Sequence, residues 1–153
     1  MQKTALTLAV ALLGTAVQAQ DVYLGVTVDY GMPKSGDSQA AASLLAGGSY
    51  DLGLAAIGAE AEYGAAAIFG GDYSTARLRA IGSFDLGEFT GLASIGGTRF
   101  GADSQSYMGY NLGVGAQFPI SNALEVRGEL IRDFMDDFGS DVITTRVGAV
   151  YSF

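Results

Sequence analysis

Eight charged side chains stand at alternate positions in four short segments: Glu60 and Glu62; Arg77 and Arg79; Glu125, Arg127 and Glu129; and Arg146. A spacing of two places each set on one face of a strand. Four acids and four bases arranged this way suit two kinds of chemistry. They can line an aqueous path as a charged filter or gate, or they can lock together as salt bridges filling a closed interior. An unpaired charge in such an interior costs several kcal/mol, which favours pairing. Catalysis is the third possibility. The chain has no His to serve as general base and no Cys nucleophile. Ser94 and Ser106 have no visible activating base, so only a carboxylate mechanism is left to an enzyme. No cofactor is expected.

A second acidic group is Asp133, Asp136, Asp137 and Asp141. Its carboxylates are hard oxygen ligands of the kind that hold calcium, but the spacing matches no defined calcium loop. It is read as a solvated surface loop, and no metal is assigned. Phe134, Met135 and Phe138 in the same segment either contact a partner or fold back onto the protein.

The elements that must position the charges read as strands. The aromatic residues Tyr50, Phe84, Phe118 and Tyr151 recur at nearly constant spacing, and Ser49-Tyr50-Asp51-Leu52-Gly53 returns as Ser83-Phe84-Asp85-Leu86-Gly87. Helical repeats share such periods. Here the alternation of apolar and polar residues and the 23 glycines speak for hairpins. Strands are expected at about 22–30, 40–50, 54–63, 75–84, 89–100, 107–118, 124–132 and 143–153. Leu24, Val26, Val28, Leu44, Ile57, Leu78, Leu112 and Val114 form one face. Gly25, Thr27, Asp29 and the eight charged residues form the other. The fifth segment has two faces of similar polarity, so its register is open.

Three connections are short (51–53, 85–88 and 119–123). Four are longer and more polar (31–39, 64–74, 101–106 and 133–141). Folding the third and fourth strands about Phe69 and Gly70 sets Glu60 against Arg79 and Glu62 against Arg77. Folding the last two about Asp137 and Phe138 sets Glu129 against Arg146. Opposite charges facing each other across antiparallel strands stabilise the pair. Seven glycines (25, 47, 58, 96, 113, 115 and 148) fall on the charged face. They leave space for water unless long arginine side chains close it.

The start of the chain is a different kind of segment. Lys3 precedes an apolar run at 5–16, too short for the ~20 residues of a spanning helix. Val17-Gln18-Ala19 offers Val17 and Ala19 at the two positions a signal peptidase reads. A signal peptide over 1–19 is expected, with one domain over 20–153. Loss of Lys3 would take the net charge from −8 to −9. Such a charge argues against nucleic acid as a partner. Without Cys there is no disulfide framework. No later run is long enough for a membrane helix. In a membrane, then, only a closed barrel satisfies the backbone.

The last segment, Val147-Gly148-Ala149-Val150-Tyr151-Ser152-Phe153, resembles the terminal sorting signal of Gram-negative outer-membrane barrels, carried by Tyr151 and Phe153. With Tyr110-Asn111-Leu112-Gly113-Val114-Gly115-Ala116-Gln117-Phe118, it makes the chain similar to the small OmpA-like and OmpX-like eight-stranded barrels. The resemblance implies an all-β, eight-stranded antiparallel transmembrane barrel with an up-and-down meander. It also implies a monomer in contact with outer-membrane lipid and lipopolysaccharide, inserted by the barrel-assembly machinery. Short turns and both termini would face the periplasm. Tyr50, Phe84, Phe118, Tyr151 and Phe153 would form the inner aromatic girdle, with Tyr63, Tyr107 and Tyr110 in the outer one. Members of the family serve envelope integrity, adhesion or resistance, and some conduct weakly. The sequence ends at the expected barrel, which puts a wall-anchoring domain in doubt. Two alternatives stand beside this reading. One is a soluble periplasmic or secreted barrel with its apolar face inward around an apolar ligand. The other is a lipid-modifying outer-membrane enzyme that works without histidine.

Overall fold

The computed structural model describes residues 21–34, 36–102, 105–135 and 141–153. Eight antiparallel strands close into one barrel in sequence order. They are β1 (Asp21–Pro33), β2 (Gln39–Asp51), β3 (Ala55–Ala65), β4 (Tyr73–Asp85), β5 (Thr90–Ala102), β6 (Gln105–Pro119), β7 (Leu124–Met135) and β8 (Val142–Ser152), with a single 3-10 turn at Ala67–Phe69. The expected up-and-down meander is the observed fold. Closure comes from β1 against β8, in register from Tyr23 opposite Ser152 to Pro33 opposite Val142. A closed barrel has no free sheet edge.

Alternation along each strand sorts the side chains. In β1, Tyr23, Thr27 and Asp29 are buried while Leu24, Val26 and Val28 are about half exposed. On β1 the apolar face therefore points outward and the polar face inward, and Leu44, Ile57, Leu78, Ile95, Leu112, Leu130 and Ile143 extend the same exposed apolar wall over the other seven strands. A soluble barrel carrying an apolar ligand would need the reverse. β5 takes a definite register: Leu92, Ser94 and Thr98 are buried, and Ile95 and Arg99 face out.

The repeated pentapeptide builds the same turn twice. Asp51 Oδ1 accepts from Gly53 N at 2.7 Å, and Asp85 Oδ1 accepts from Gly87 N at 2.8 Å. Gly53 and Gly87 hold φ of 104° and 93°, a region that side chains with a Cβ avoid. The third turn uses Ser121 instead, whose hydroxyl accepts from Leu124 N at 3.2 Å.

Two expectations about boundaries change, and one about a side chain's orientation. β7 runs to Met135, so Asp133, Phe134 and Met135 belong to a strand and not to a loop. The β5–β6 connection is tight, because Ala102 already pairs with Gln105. Tyr107 sits at an inward position on β6, with its hydroxyl donating to Gln105 Oε1 at 2.5 Å, so it is not part of an outer girdle. Tyr30, Tyr63 and Tyr110 are exposed on the outer wall near the loop-side ends, and Tyr50, Phe84, Phe118, Tyr151 and Phe153 are exposed near the other.

Candidate functional site

The barrel interior holds nine charged side chains that are 0–5 % exposed: Asp29, Glu60, Glu62, Arg77, Arg79, Arg127, Glu129, Asp133 and Arg146. They form two linked networks. Nearer the short turns, Arg79 lies between two carboxylates. Its Nη2 donates to Glu60, and its Nη1 donates to Glu129 Oε1 at 2.8 Å. Arg127 Nη1 donates to Glu60 Oε2 at 2.5 Å, its Nε reaches Gln117 Oε1 at 3.1 Å, and its guanidinium lies 5.5 Å from the Tyr23 ring centroid. The Tyr23 hydroxyl also donates to Glu60 Oε2, at 3.1 Å. Two acids and two bases balance here.

Nearer the loops, Arg77 grips Asp133 with two hydrogen bonds (Nε–Oδ1 3.0 Å, Nη2–Oδ2 2.7 Å) and reaches Glu62 Oε1 with Nη1 at 2.5 Å. Arg146 donates to both oxygens of Glu62, at 2.6 and 2.5 Å, and to Asp29 Oδ2 at 2.9 Å. Three acids face two bases. Hydroxyl donors serve the extra charge. Thr98 Oγ1 donates to Asp133 Oδ1 at 2.6 Å, and Thr27 and Ser43 each donate to Asp29 at 2.7 Å. Glu62 joins the networks through a 3.7 Å approach of its Oε2 to Arg79.

The inward glycines leave little space. A Cβ on Gly47 would fall 2.5 Å from the Tyr23 ring, one on Gly113 2.5 Å from Ser94 Oγ, and one on Gly115 2.6 Å from Glu129 Cγ. Each glycine is the recess into which a neighbouring side chain packs. Below the networks, Tyr23, Leu45 and Val150 form a buried apolar cluster. Above them a cavity of about 250 Å³ opens toward the loops, with Arg77, Asp29 and Thr144 among its lining and the stacked Tyr73 and Phe100 rings beside it (centroids 5.1 Å apart).

No family model matches the chain, and no curated protein matches its sequence. Solved structures do match in fold. Neisserial surface protein A aligns with a TM-score of 0.61 at 10 % identity, covering 87 % of this chain and 96 % of that one. The N-terminal β-barrel domain of Pseudomonas aeruginosa OprF aligns with a TM-score of 0.62 at 14 % identity, covering 86 % and 97 %. The outer-membrane protein Ail of Yersinia pestis, in a phospholipid nanodisc, aligns with a TM-score of 0.55 at 16 % identity, covering 86 % and 99 %. The chain has the fold of the small eight-stranded outer-membrane barrels.

Against that architecture, the sequence-derived residues fall as follows. Glu60 lies opposite Arg79, Glu62 opposite Arg77, and Glu129 opposite Arg146 in the strand register. The first two pairs are also direct ion pairs. The third is not a close one: Arg146 turns to Glu62 and Asp29, Glu129 turns to Arg79, and the two approach only to 3.7 Å. A guanidinium reaches across a narrow interior as readily as along the sheet, so strand register alone does not fix its partner. Glu125 is half-buried and hydrogen-bonded to Gln117 Nε2 at 2.5 Å, with no arginine partner among the described residues. Asp29 and Asp133 belong to the site but not to the eight residues first selected. Asp29 stood on the correct face, and the signal for it was the single arginine of β8, Arg146, opposite it. Asp133, from the acidic group expected to form a solvated surface loop, is buried near the end of β7. Asp141 from that group pairs instead with Arg132, while Asp136, Asp137 and Phe138 lie outside the described residues, as do Val17 and Ala19. Tyr151 is exposed on the outer wall at the end of β8, its ring edge-on to Phe153 at 5.2 Å.

Proposed function

We propose that this protein is an integral barrel of the Gram-negative outer membrane, with a structural role in the envelope and an interior sealed by its own charges. One observation carries the reading: every strand turns large apolar side chains outward on a closed barrel, while nine charged side chains are buried inside it. In water that outer wall would be a large exposed apolar patch, whereas in lipid it is the required surface. An eight-stranded interior is just wide enough for side chains to fill. The Glu60–Arg79 and Glu62–Arg77 pairs, with Arg127, Glu129, Arg146, Asp29 and Asp133, fill it. The buried carboxylates are held by arginines, and the chain has neither His nor Cys, which supports a non-catalytic role.

Planar-bilayer recording on protein first judged folded by a heat-dependent gel shift tests the seal. No reproducible openings are expected from the native chain. Small openings should appear in Arg77→Ala, which removes a guanidinium from the loop-side network. Steady conductance from the native protein would make the interior a filter instead.

Export uses residues 1–19 as a signal peptide cut after Ala19, and Tyr151 with Phe153 directs insertion of a monomer by the barrel-assembly machinery. Deleting Phe153 should lower the amount of gel-shifted protein in the outer membrane several-fold. Unchanged assembly would remove the sorting role.

A further inference from the structure

We propose that Arg99 and Arg132 form an anchoring site for the phosphate groups of lipopolysaccharide on the outer wall of the barrel, at its loop-side rim. This rests on the membrane reading above. The argument begins with where the positive charge goes. The chain has eight Lys and Arg against sixteen Asp and Glu. Lys3 is not among the described residues, Lys34 lies outside the strands, and Arg77, Arg79, Arg127 and Arg146 are buried in the core. Arg99 and Arg132 remain, both exposed at outward positions. Among the described strand residues, no other outward position is charged. So the outward positions of the described strands carry two guanidiniums and no carboxylate, although the protein is acidic.

Lipid penalises a lipid-facing arginine more than a carboxylate near the bilayer centre, and penalises it little at the interface. Both arginines sit where the penalty is small. Arg99 lies three residues before the end of β5, and Arg132 three before the end of β7, and both strands run toward the loops. With the short turns in the periplasm, this rim meets the outer leaflet, where lipopolysaccharide carries its phosphates.

The surface between the arginines suits a lipid. On β6, Tyr110 pairs with Gly97 on one side and Phe134 on the other. The Tyr110 and Phe134 rings stack at 4.7 Å. Gly97 beside them is open: a Cβ there would meet only Gly109 O, at 3.9 Å. Arg99 is oriented by its Nε donating to Ser106 Oγ at 2.7 Å. Arg132 lies over the Phe134 ring at 4.6 Å and donates to Asp141 Oδ2 from Nε at 3.2 Å and from Nη2 at 2.5 Å. A guanidinium carries five N–H donors, so the Asp141 contacts leave Arg132 able to meet a phosphate as well.

The test is lipid retention. The exported full-length chain and the Arg99→Gln/Arg132→Gln variant are extracted from outer membranes in mild detergent and checked for folding by gel shift. Co-purifying lipid A and phosphatidylglycerol are then quantified by mass spectrometry. The native barrel should retain lipid A, and the double variant at least about tenfold less, since loss of even one of its two charge-assisted contacts carries that factor. Arg99→Lys/Arg132→Lys should recover most of the retention. Equal retention by the native and Gln proteins overturns the proposal. Preferential loss of phosphatidylglycerol in the Gln variant overturns the choice of lipopolysaccharide. A chain absent from the outer-membrane fraction would instead sink the membrane reading itself.

Discussion

The two halves of the buried network solve one problem in different ways. On the turn side, Arg79 and Arg127 face Glu60 and Glu129, and charge neutralises charge. On the loop side, Arg77 and Arg146 face Glu62, Asp29 and Asp133, one acid more than the bases cover. There the hydroxyls of Thr27, Ser43 and Thr98 supply donors that further guanidiniums would otherwise give. A buried carboxylate must be satisfied, but a neutral donor counts toward satisfaction as well as a charged one. The turn side should therefore fail when a charge is removed. The loop side should tolerate losing one acid and depend on its neutral donors.

The largest break should come from Arg79→Met. Among the described residues, it removes the only close ion-pair partner of Glu129 and one of the two close arginine partners of Glu60. Breaking a buried pair by deleting one partner costs roughly 3–5 kcal/mol. Urea titration in lipid vesicles, followed by gel shift because the chain lacks Trp, should register a loss of that size. A loss under about 1 kcal/mol, the range of an exposed pair, would mean that the interior is wet.

A paired comparison should come next in size. Glu129→Gln takes a charge from the balanced half and leaves Arg79 short of one partner. Asp133→Asn takes the surplus charge from the other half, where Arg77 still holds Glu62 at 2.5 Å. Glu129→Gln should therefore cost about 2–3 kcal/mol, and Asp133→Asn about half that or less. The reverse order would show that surplus charge, as distinct from pairing, is not what separates the two halves.

The same contrast explains what the sequence revealed. Strand alternation was enough to place Glu60, Glu62, Arg77 and Arg79 on one face and to pair them across the β3–β4 hairpin, because a hairpin's register follows from its centre. The outward apolar positions and the meander were equally legible. Partners across the barrel were not: Arg127 with Glu60 and Arg146 with Glu62 join strands distant in sequence, and nothing local encodes how far a flexible guanidinium extends. Asp133 was misplaced for a related reason. Its neighbours Asp136, Asp137 and Asp141 made it look like part of an acidic loop, and its real partners, Arg77 and Thr98, lie on β4 and β5. The two-residue β5–β6 connection was hidden because Gly101 and Ser106, both turn-prone residues, sit within paired strand.

The smallest effects should give the finest test. Thr98 Oγ1 donates to Asp133 Oδ1 at 2.6 Å and accepts from Asn111 Nδ2 at 2.8 Å, so it links a buried acid to a buried amide. Thr98→Val keeps the shape and removes both bonds, which should cost about 1–2 kcal/mol. On the turn side, Ser94 Oγ only accepts from Arg79 Nη1, at 3.3 Å, and that same nitrogen also holds Glu129 at 2.8 Å. Ser94→Ala should cost about 0.5 kcal/mol or less, since the arginine keeps its charged partners. If both substitutions cost the same, hydroxyl donors are general fillers of the barrel. If Thr98→Val alone is costly, they are the loop-side substitute for an absent positive charge.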